Sequence, residues 1–296
     1  MDYIIYLFLR WYTFFFRIIP FSVLYFISDI VFFLMYYFIR YRKKTVLKNI
    51  LNSFPEKTEN ERNLIAKKFY KHLCDLALES LKGFTASKEV MGQRYKVLNP
   101  EFADRYFREG RDAMLLASHY CNWEWGAVAC DMQFEYTLGF LYKPLTNKYA
   151  EEYSLKKRSR FGGDFVGIAE TGKYFLRKKP QPVLYVMPAD QSPSNSHLAY
   201  WMQFLNQETG FIHGPEKFAK KLNLPVLFMD IRKKKRGYYE ITIKEITDKP
   251  KELPEGMLAK KYAQIMEDII REKPEDWLWS HKRWKRQKPA DALTVN

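Results

Sequence analysis

A histidine and a carboxylate stand five positions apart in Ser118-His119-Tyr120-Cys121-Asn122-Trp123-Glu124, directly after the apolar run Ala113 to Ala117. An imidazole has an ordinary pKa of about 6.5, so near neutral pH it can take a proton from a hydroxyl. A carboxylate on its second ring nitrogen fixes the tautomer and stabilises the imidazolium as it forms. The pair therefore reads as a general base, His119, and its orienter, Glu124. The H-x4-E spacing is weak by itself, and its neighbours must strengthen it. Cys121, two residues from His119, is a poor candidate nucleophile, because residues this close on a tight turn seldom aim at each other.

A buried strand ending in a polar turn that opens a helix is where α/β proteins place reactive groups. The rest of the chain supplies such a fold. Apolar runs at Tyr136 to Leu141, Val183 to Met187, Val226 to Ile231 and Tyr239 to Ile243 alternate with helical patterns, which predicts an α/β sheet. Thr58-Glu59-Asn60-Glu61 forms a capping box. With Ile65, Phe69, Leu73 and Leu76 at helical spacing, it predicts a helix from Glu59 to about Leu81, on which His72 and Cys74 are ordinary residues. Lys233-Lys234-Lys235-Arg236-Gly237 reads as a solvated hairpin turn, with contact to lipid phosphate or a carrier protein as the alternative. Leu258, Tyr262, Ile265 and Ile269 mark one face of a last helix. Trp277, Trp279 and Trp284, set among Lys and Arg, suit either a packed C-terminal lid, the preferred reading, or a membrane interface.

The 296 residues are 47% hydrophobic, enough for a sizeable core. Lys and Arg outnumber Asp and Glu by 49 to 34, so the surface should attract an anionic partner. Cys74, Cys121 and Cys130 contain no C-x2-C pair, and a reducing, cytosol-facing location is the simpler reading. Tyr3 to Phe16 is apolar and aromatic apart from Arg10, and Phe21 to Ile39 repeats the pattern with Asp29 as its only charge. The second segment would be about 28 Å long as a helix, close to a hydrocarbon core of about 30 Å. Asp29 near its middle would cost about 2.5 to 3.5 kcal/mol there, so an interfacial anchor or helical hairpin stays open beside a spanning helix. Arg40, Arg42, Lys43, Lys44 and Lys48 follow, as expected on a cytoplasmic membrane face. The apolar region is too long for a secretory signal, and no small-residue cleavage site follows it. Metal-site spacings, Walker loops, G-x-G-x-x-G and G-x-S-x-G are all absent. Without a recognisable module, nucleic-acid binding is disfavoured.

The Ser118 to Glu124 block resembles the H-x-x-N-W-E block of the late acyltransferases of lipid A biosynthesis, the lauroyl/myristoyl type. These are relatives of the glycerolipid acyltransferases with H-x4-D/E. Arg158-Ser159-Arg160-Phe161-Gly162 sits where that family has a basic motif. Pro188-Ala189-Asp190-Gln191 resembles its aspartate block, and Trp277 to Lys285 its tryptophan- and arginine-rich ending. The resemblance covers nearly the whole chain. It departs at Cys121, where glycine is common, and at Glu124, where many relatives carry aspartate.

The resemblance implies a mixed sheet flanked by helices, glycerolipid-acyltransferase-like, behind a hydrophobic anchor. Residues 1–44 would be the anchor and its basic flank, and residues 45–296 the acyltransferase domain. The activity implied is transfer of a fatty acyl chain from acyl carrier protein to a hydroxyl of a lipid A precursor, a phosphorylated glycolipid, with no cofactor and no metal. The location implied is the cytoplasmic face of the inner membrane. Asn122 would cap the following helix or fix the loop. Arg158 and Arg160 would clamp a substrate phosphate or the developing oxyanion. Asp190 and Gln191 would position the arginine pair or the acceptor sugar, or order a strand-end turn. Three alternatives remain: another acceptor such as a glycolipid, lysophospholipid or aminolipid, hydrolysis with His119 activating water, and a non-catalytic lipid-binding protein.

Overall fold

The computed structural model describes residues 2–295. The chain opens with helices α1 (Asp2–Ile18) and α2 (Phe21–Phe33), the latter prolonged by a π-helical turn (Leu34–Ile39). Helices α3 (Lys43–Ser53), α4 (Glu59–Gly83) and α5 (Lys88–Arg94) lead to the short strand β1 (Tyr95–Val97). An alternating section follows: α6 (Glu101–Arg108), β2 (Ala113–Ala117), α7 (Trp123–Ala129), β3 (Thr137–Tyr142), α8 (Lys148–Arg158), β4 (Asp164–Gly167), α9 (Thr171–Leu176) and β5 (Val183–Pro188). A hairpin of β6 (Ala199–Phe204) and β7 (Gln207–Ile212) precedes α10 (Gly214–Leu222). The strands β8 (Val226–Lys235) and β9 (Tyr238–Thr247) and helix α11 (Met257–Glu272) complete the order.

Seven strands form one mixed sheet in the order β1-β9-β8-β2-β5-β3-β4. Every neighbouring pair is parallel except β8 with β9. Central parallel strands are covered on both faces and read as continuous apolar runs. All five residues of β2 are buried, as are the first five of β5 and the first six of β8. The apolar runs of the sequence thus fall on β2, β3, β5, β8 and β9, each within one or two residues at its start. The last two extend further, because they pair with each other well beyond the core. The capping box is present, with Thr58 Oγ1 accepting from the Glu61 amide and Glu61 accepting from the Thr58 amide.

The basic run at the β8–β9 tip is not simply a solvated turn. Arg236 donates to Asp75 on α4 at 2.5 to 3.1 Å and to Asp29 on α2 at 2.8 and 3.0 Å. Asp75 is buried and also accepts from Ser28 Oγ of α2 at 2.7 Å. The one charge within the apolar α2 segment is therefore tied to the sheet. A small cluster of Phe16, Ile19, Leu24 and Leu78 packs the start of the chain against α4. The segment Phe21–Ile39 is long and apolar enough to cross a membrane, with a mean hydropathy of 1.9 and only 11% of its residues buried. At the other end of the chain, Trp277 and Trp279 are buried against the core, as the packed-lid reading expects.

Candidate active site

Strands β2 and β5 lie side by side in parallel, with Ala117 opposite Pro188. Two residues beyond each strand end stand His119 and Asp190, so the register alone brings them level. The ladder continues past the strands, with the Ala189 amide donating to the Ala117 carbonyl at 3.2 Å. His119 Nδ1 lies 2.7 Å from Asp190 Oδ1, and the His119 amide donates to Asp190 Oδ2 at 3.0 Å. Asp190 is 2% exposed and accepts a third bond, from Trp277 Nε1 at 3.0 Å.

The tautomer follows from these partners. Asp190 accepts from Nδ1–H, so Nε2 carries the lone pair, and the Gln191 side-chain amide donates to it at 2.9 Å. Trp123 packs edge-on to the ring at 5.1 Å. Burial works against the imidazolium of His119. The charge and hydrogen bond of Asp190, with Glu124 farther away, outweigh it and hold the ring above its ordinary pKa. Burial likewise opposes the Asp190 anion, but the charge and bond of His119 and the Trp277 bond keep it well below the usual carboxylate range.

Glu124 does not bond the imidazole. It accepts from Arg158 Nη2 at 2.8 Å. The carboxylate on the ring is Asp190 and not the expected Glu124, because Glu124 sits in the first turn of α7, where it faces the C-terminal end of α8. Arg158 is thereby occupied, although its buried Nε has no partner. Arg160 is not part of a phosphate clamp either. It donates to the carbonyls of Gly83, at 2.7 Å, and Ala86, and its guanidinium stacks over Phe161 at 4.1 Å. A cation at the end of α4 satisfies carbonyls that the helix leaves open. Asp190 holds the His119 ring, with no arginine partner among its hydrogen bonds.

Asn122 is the N-cap of α7, accepting from the Trp125 amide at 2.9 Å. Its amide also donates to Glu79 Oε2 at 2.7 Å, and this the sequence did not reveal. Glu79 is fully buried on α4 and accepts from Tyr25 and Tyr239 as well, at 2.8 and 2.7 Å. Burial pushes its carboxyl up to about 7. The available signal was a glutamate on the buried face of a capped helix, in register with the apolar Leu76 and Phe69.

Behind the turn, the Cys121 amide donates to the Asp276 carbonyl at 2.8 Å, and the Cys121 thiol points at Asp276 Oδ2, 3.6 Å away. Burial pushes this thiol well above its ordinary pKa. Cys121 therefore faces away from the chemistry. It also adopts φ +53°, the left-handed region where the related glycine is at ease. Among the described residues, no group of three or more His, Cys, Asp or Glu side chains is placed to hold a metal.

A strand-end histidine held by a buried carboxylate, on a mixed sheet covered by helices, defines an α/β protein equipped to draw a proton from a hydroxyl. The family model described as bacterial lipid A biosynthesis acyltransferase matches residues 2–286, and the chain belongs to that family. Membership supports acyltransferase chemistry directed at a lipid A-type acceptor. No curated protein matched the chain.

Proposed function

We propose that the protein moves a fatty acyl chain from the thioester of acyl carrier protein to a hydroxyl of a lipid A precursor, with His119 as general base and Asp190 as its orienter. The observation that carries this is the His119–Asp190 bond, which leaves Nε2 as the proton acceptor. The acceptor hydroxyl takes the position of the Gln191 amide at Nε2. Its oxygen forms the ester bond to the acyl carbon as its proton passes to His119. The carbon–sulfur bond then breaks, and the departing thiolate recovers that proton. Asp190 remains ionised throughout, stabilising the imidazolium by charge. No acyl-enzyme is needed, and Cys121 takes no part.

The N-terminal residues 1–44 act in this reading as an interfacial anchor on the cytoplasmic face of the inner membrane. Support comes from the exposed apolar faces of α1 and α2, with Trp11 at 65%, Phe26 at 67% and Phe38 at 68% exposure. The pairing of Asp29 with Arg236 favours a helix lying along the domain over one crossing the bilayer.

The test is transfer of labelled acyl chain from acyl carrier protein to purified lipid A precursors. Transfer by the wild type, lost in a folded His119→Gln variant, is the expected result. No transfer to any precursor would overturn the acceptor assignment, and release of free fatty acid alone would make the protein a hydrolase.

A further inference from the structure

A cavity of about 400 Å³ opens between α1 and α8, lined by Arg10, Arg17, Lys156 and Lys157 and by no carboxylate. Thr13 and Thr85 also line the wall, their hydroxyls donating to the Arg10 and Lys82 carbonyls at 3.0 and 3.1 Å. Among the described residues, none of the four cations has an acidic ion-pair partner. Arg158, the next residue along α8, is the one that reaches Glu124. Like charges gathered this way repel one another and lower stability until an anion joins them. Lys157 registers the repulsion: burial and the charges of Arg160, Lys156, Arg17 and Arg10 push its ammonium below the ordinary value.

The surroundings narrow the class of anion. Phe14 lines the cavity and is 62% exposed, and Trp11, Phe15 and Ile18 continue an apolar rim along α1. A cationic floor beneath an apolar lip fits an amphiphile with an anionic head. A phosphomonoester carries about −1.5 to −2 charge at neutral pH and three acceptor oxygens, whereas a diester such as phosphatidylglycerol carries one negative charge. Four cations suit the former.

We propose that this cavity binds a phosphomonoester carried by the acceptor lipid, and that α8 relates the bound phosphate to the turn holding His119. The assignment rests on the acyl-transfer reading for the identity of the lipid, but it is tested by binding alone. The titrants would be a phosphorylated lipid A precursor in detergent micelles, the same precursor after phosphatase treatment, phosphatidylglycerol, and inorganic phosphate. The proteins would be the wild type, His119→Gln, and a triple variant carrying Arg17→Ala, Lys156→Ala and Lys157→Ala. The wild type and His119→Gln should prefer the phosphorylated precursor by about tenfold or more, and the triple variant should lose that preference.

An unchanged circular dichroism spectrum and melting temperature would certify the fold of the triple variant. The exposed single change Lys156→Ala, expected to lose part of the preference, serves if the triple variant does not fold. Equal preference in the wild type and in the folded triple or Lys156→Ala variant would overturn the proposal. So would equally tight binding of phosphatidylglycerol or of free inorganic phosphate. Selective binding by a protein that transfers no acyl chain would sink the acyl-transfer reading and leave the cavity assignment standing. Transfer without phosphate selectivity would do the reverse.

Discussion

Asp190 accepts from His119 twice, once from ring Nδ1 at 2.7 Å and once from the backbone amide at 3.0 Å. The second bond fixes where the residue stands, and the first fixes how its ring is turned. Asp190→Asn retains the shape but loses the charge that stabilises the imidazolium and can present the wrong tautomer. Acyl transfer should fall on the order of a thousandfold, with KM for the acceptor changed far less. Loss in KM alone, with kcat intact, would contradict the role assigned to Asp190.

Glu124 and Arg158 should behave as a unit distinct from that dyad. In Glu124→Gln the hydrogen-bonded Nδ1 proton resonance of His119 should persist, and in Asp190→Asn it should disappear. A double-mutant cycle of Glu124→Gln with Arg158→Met should reveal a coupling of about 1 kcal/mol, given the partial exposure of both side chains. Proton NMR of the wild type, Glu124→Gln and Asp190→Asn reads the first effect, and urea unfolding of the four proteins of the cycle reads the second.

The raised pKa of His119 sets the sign of two pH effects. As a base the ring works when neutral, so the acid limb of the rate profile should lie above about pH 6.5, and Asp190→Asn should move it to lower pH. For stability the direction reverses. The contribution of the protonated ring is complete below its unfolded value of about 6.5 and is lost as pH rises through the folded value. The depressed Asp190 contributes above its unfolded value of about 3.9, and that contribution is lost as pH falls through its folded value. Rate profiles and urea titrations across this range, compared with Asp190→Asn, separate the two.

Arg236→Met should destabilise the fold by about 3 kcal/mol, because it strands the buried Asp75 without its cation. Calorimetry should show a melting temperature about 5 °C lower. Asp29→Asn, at the more exposed end of the same cluster, should cost no more than about 1 kcal/mol.

Cys121→Gly should preserve acyl transfer and change stability by no more than about 1 kcal/mol, relief of the left-handed backbone offsetting lost packing. Cys121→Val places a β-branched residue in that conformation and should cost about 2 kcal/mol or more. Abolished activity in a folded Cys121→Gly protein would restore the thiol to the mechanism.

The features that a single segment can express were legible in the sequence. The apolar run Ala113 to Ala117 announces a buried strand, Thr58 and Glu61 announce the start of α4, and His119 announces the turn that carries the candidate site. The choice of carboxylate was not legible. Glu124 is near His119 in the chain, but Asp190 is opposite it across the β2–β5 ladder, and that register is settled by packing between segments some 71 residues apart. The same holds for Arg160, Arg236 and Glu79. The arginines' charges suggested solvent or substrate and Glu79 drew no attention, whereas the partners of all three come from other elements.

The Arg236 cluster bears on how the molecule meets a surface. A lipid-facing helix joined to its domain by a loose linker lets the domain swing, and each encounter must then find its own height and tilt. Here α2 is fastened near its midpoint to the tip of a hairpin that runs back into the central sheet beside β2. The helix and the strand that leads to His119 are thereby joined through one sheet. If α2 lies in a bilayer as proposed, the depth of His119 below or above the headgroups is decided when the protein folds, and the acceptor has to come to that level.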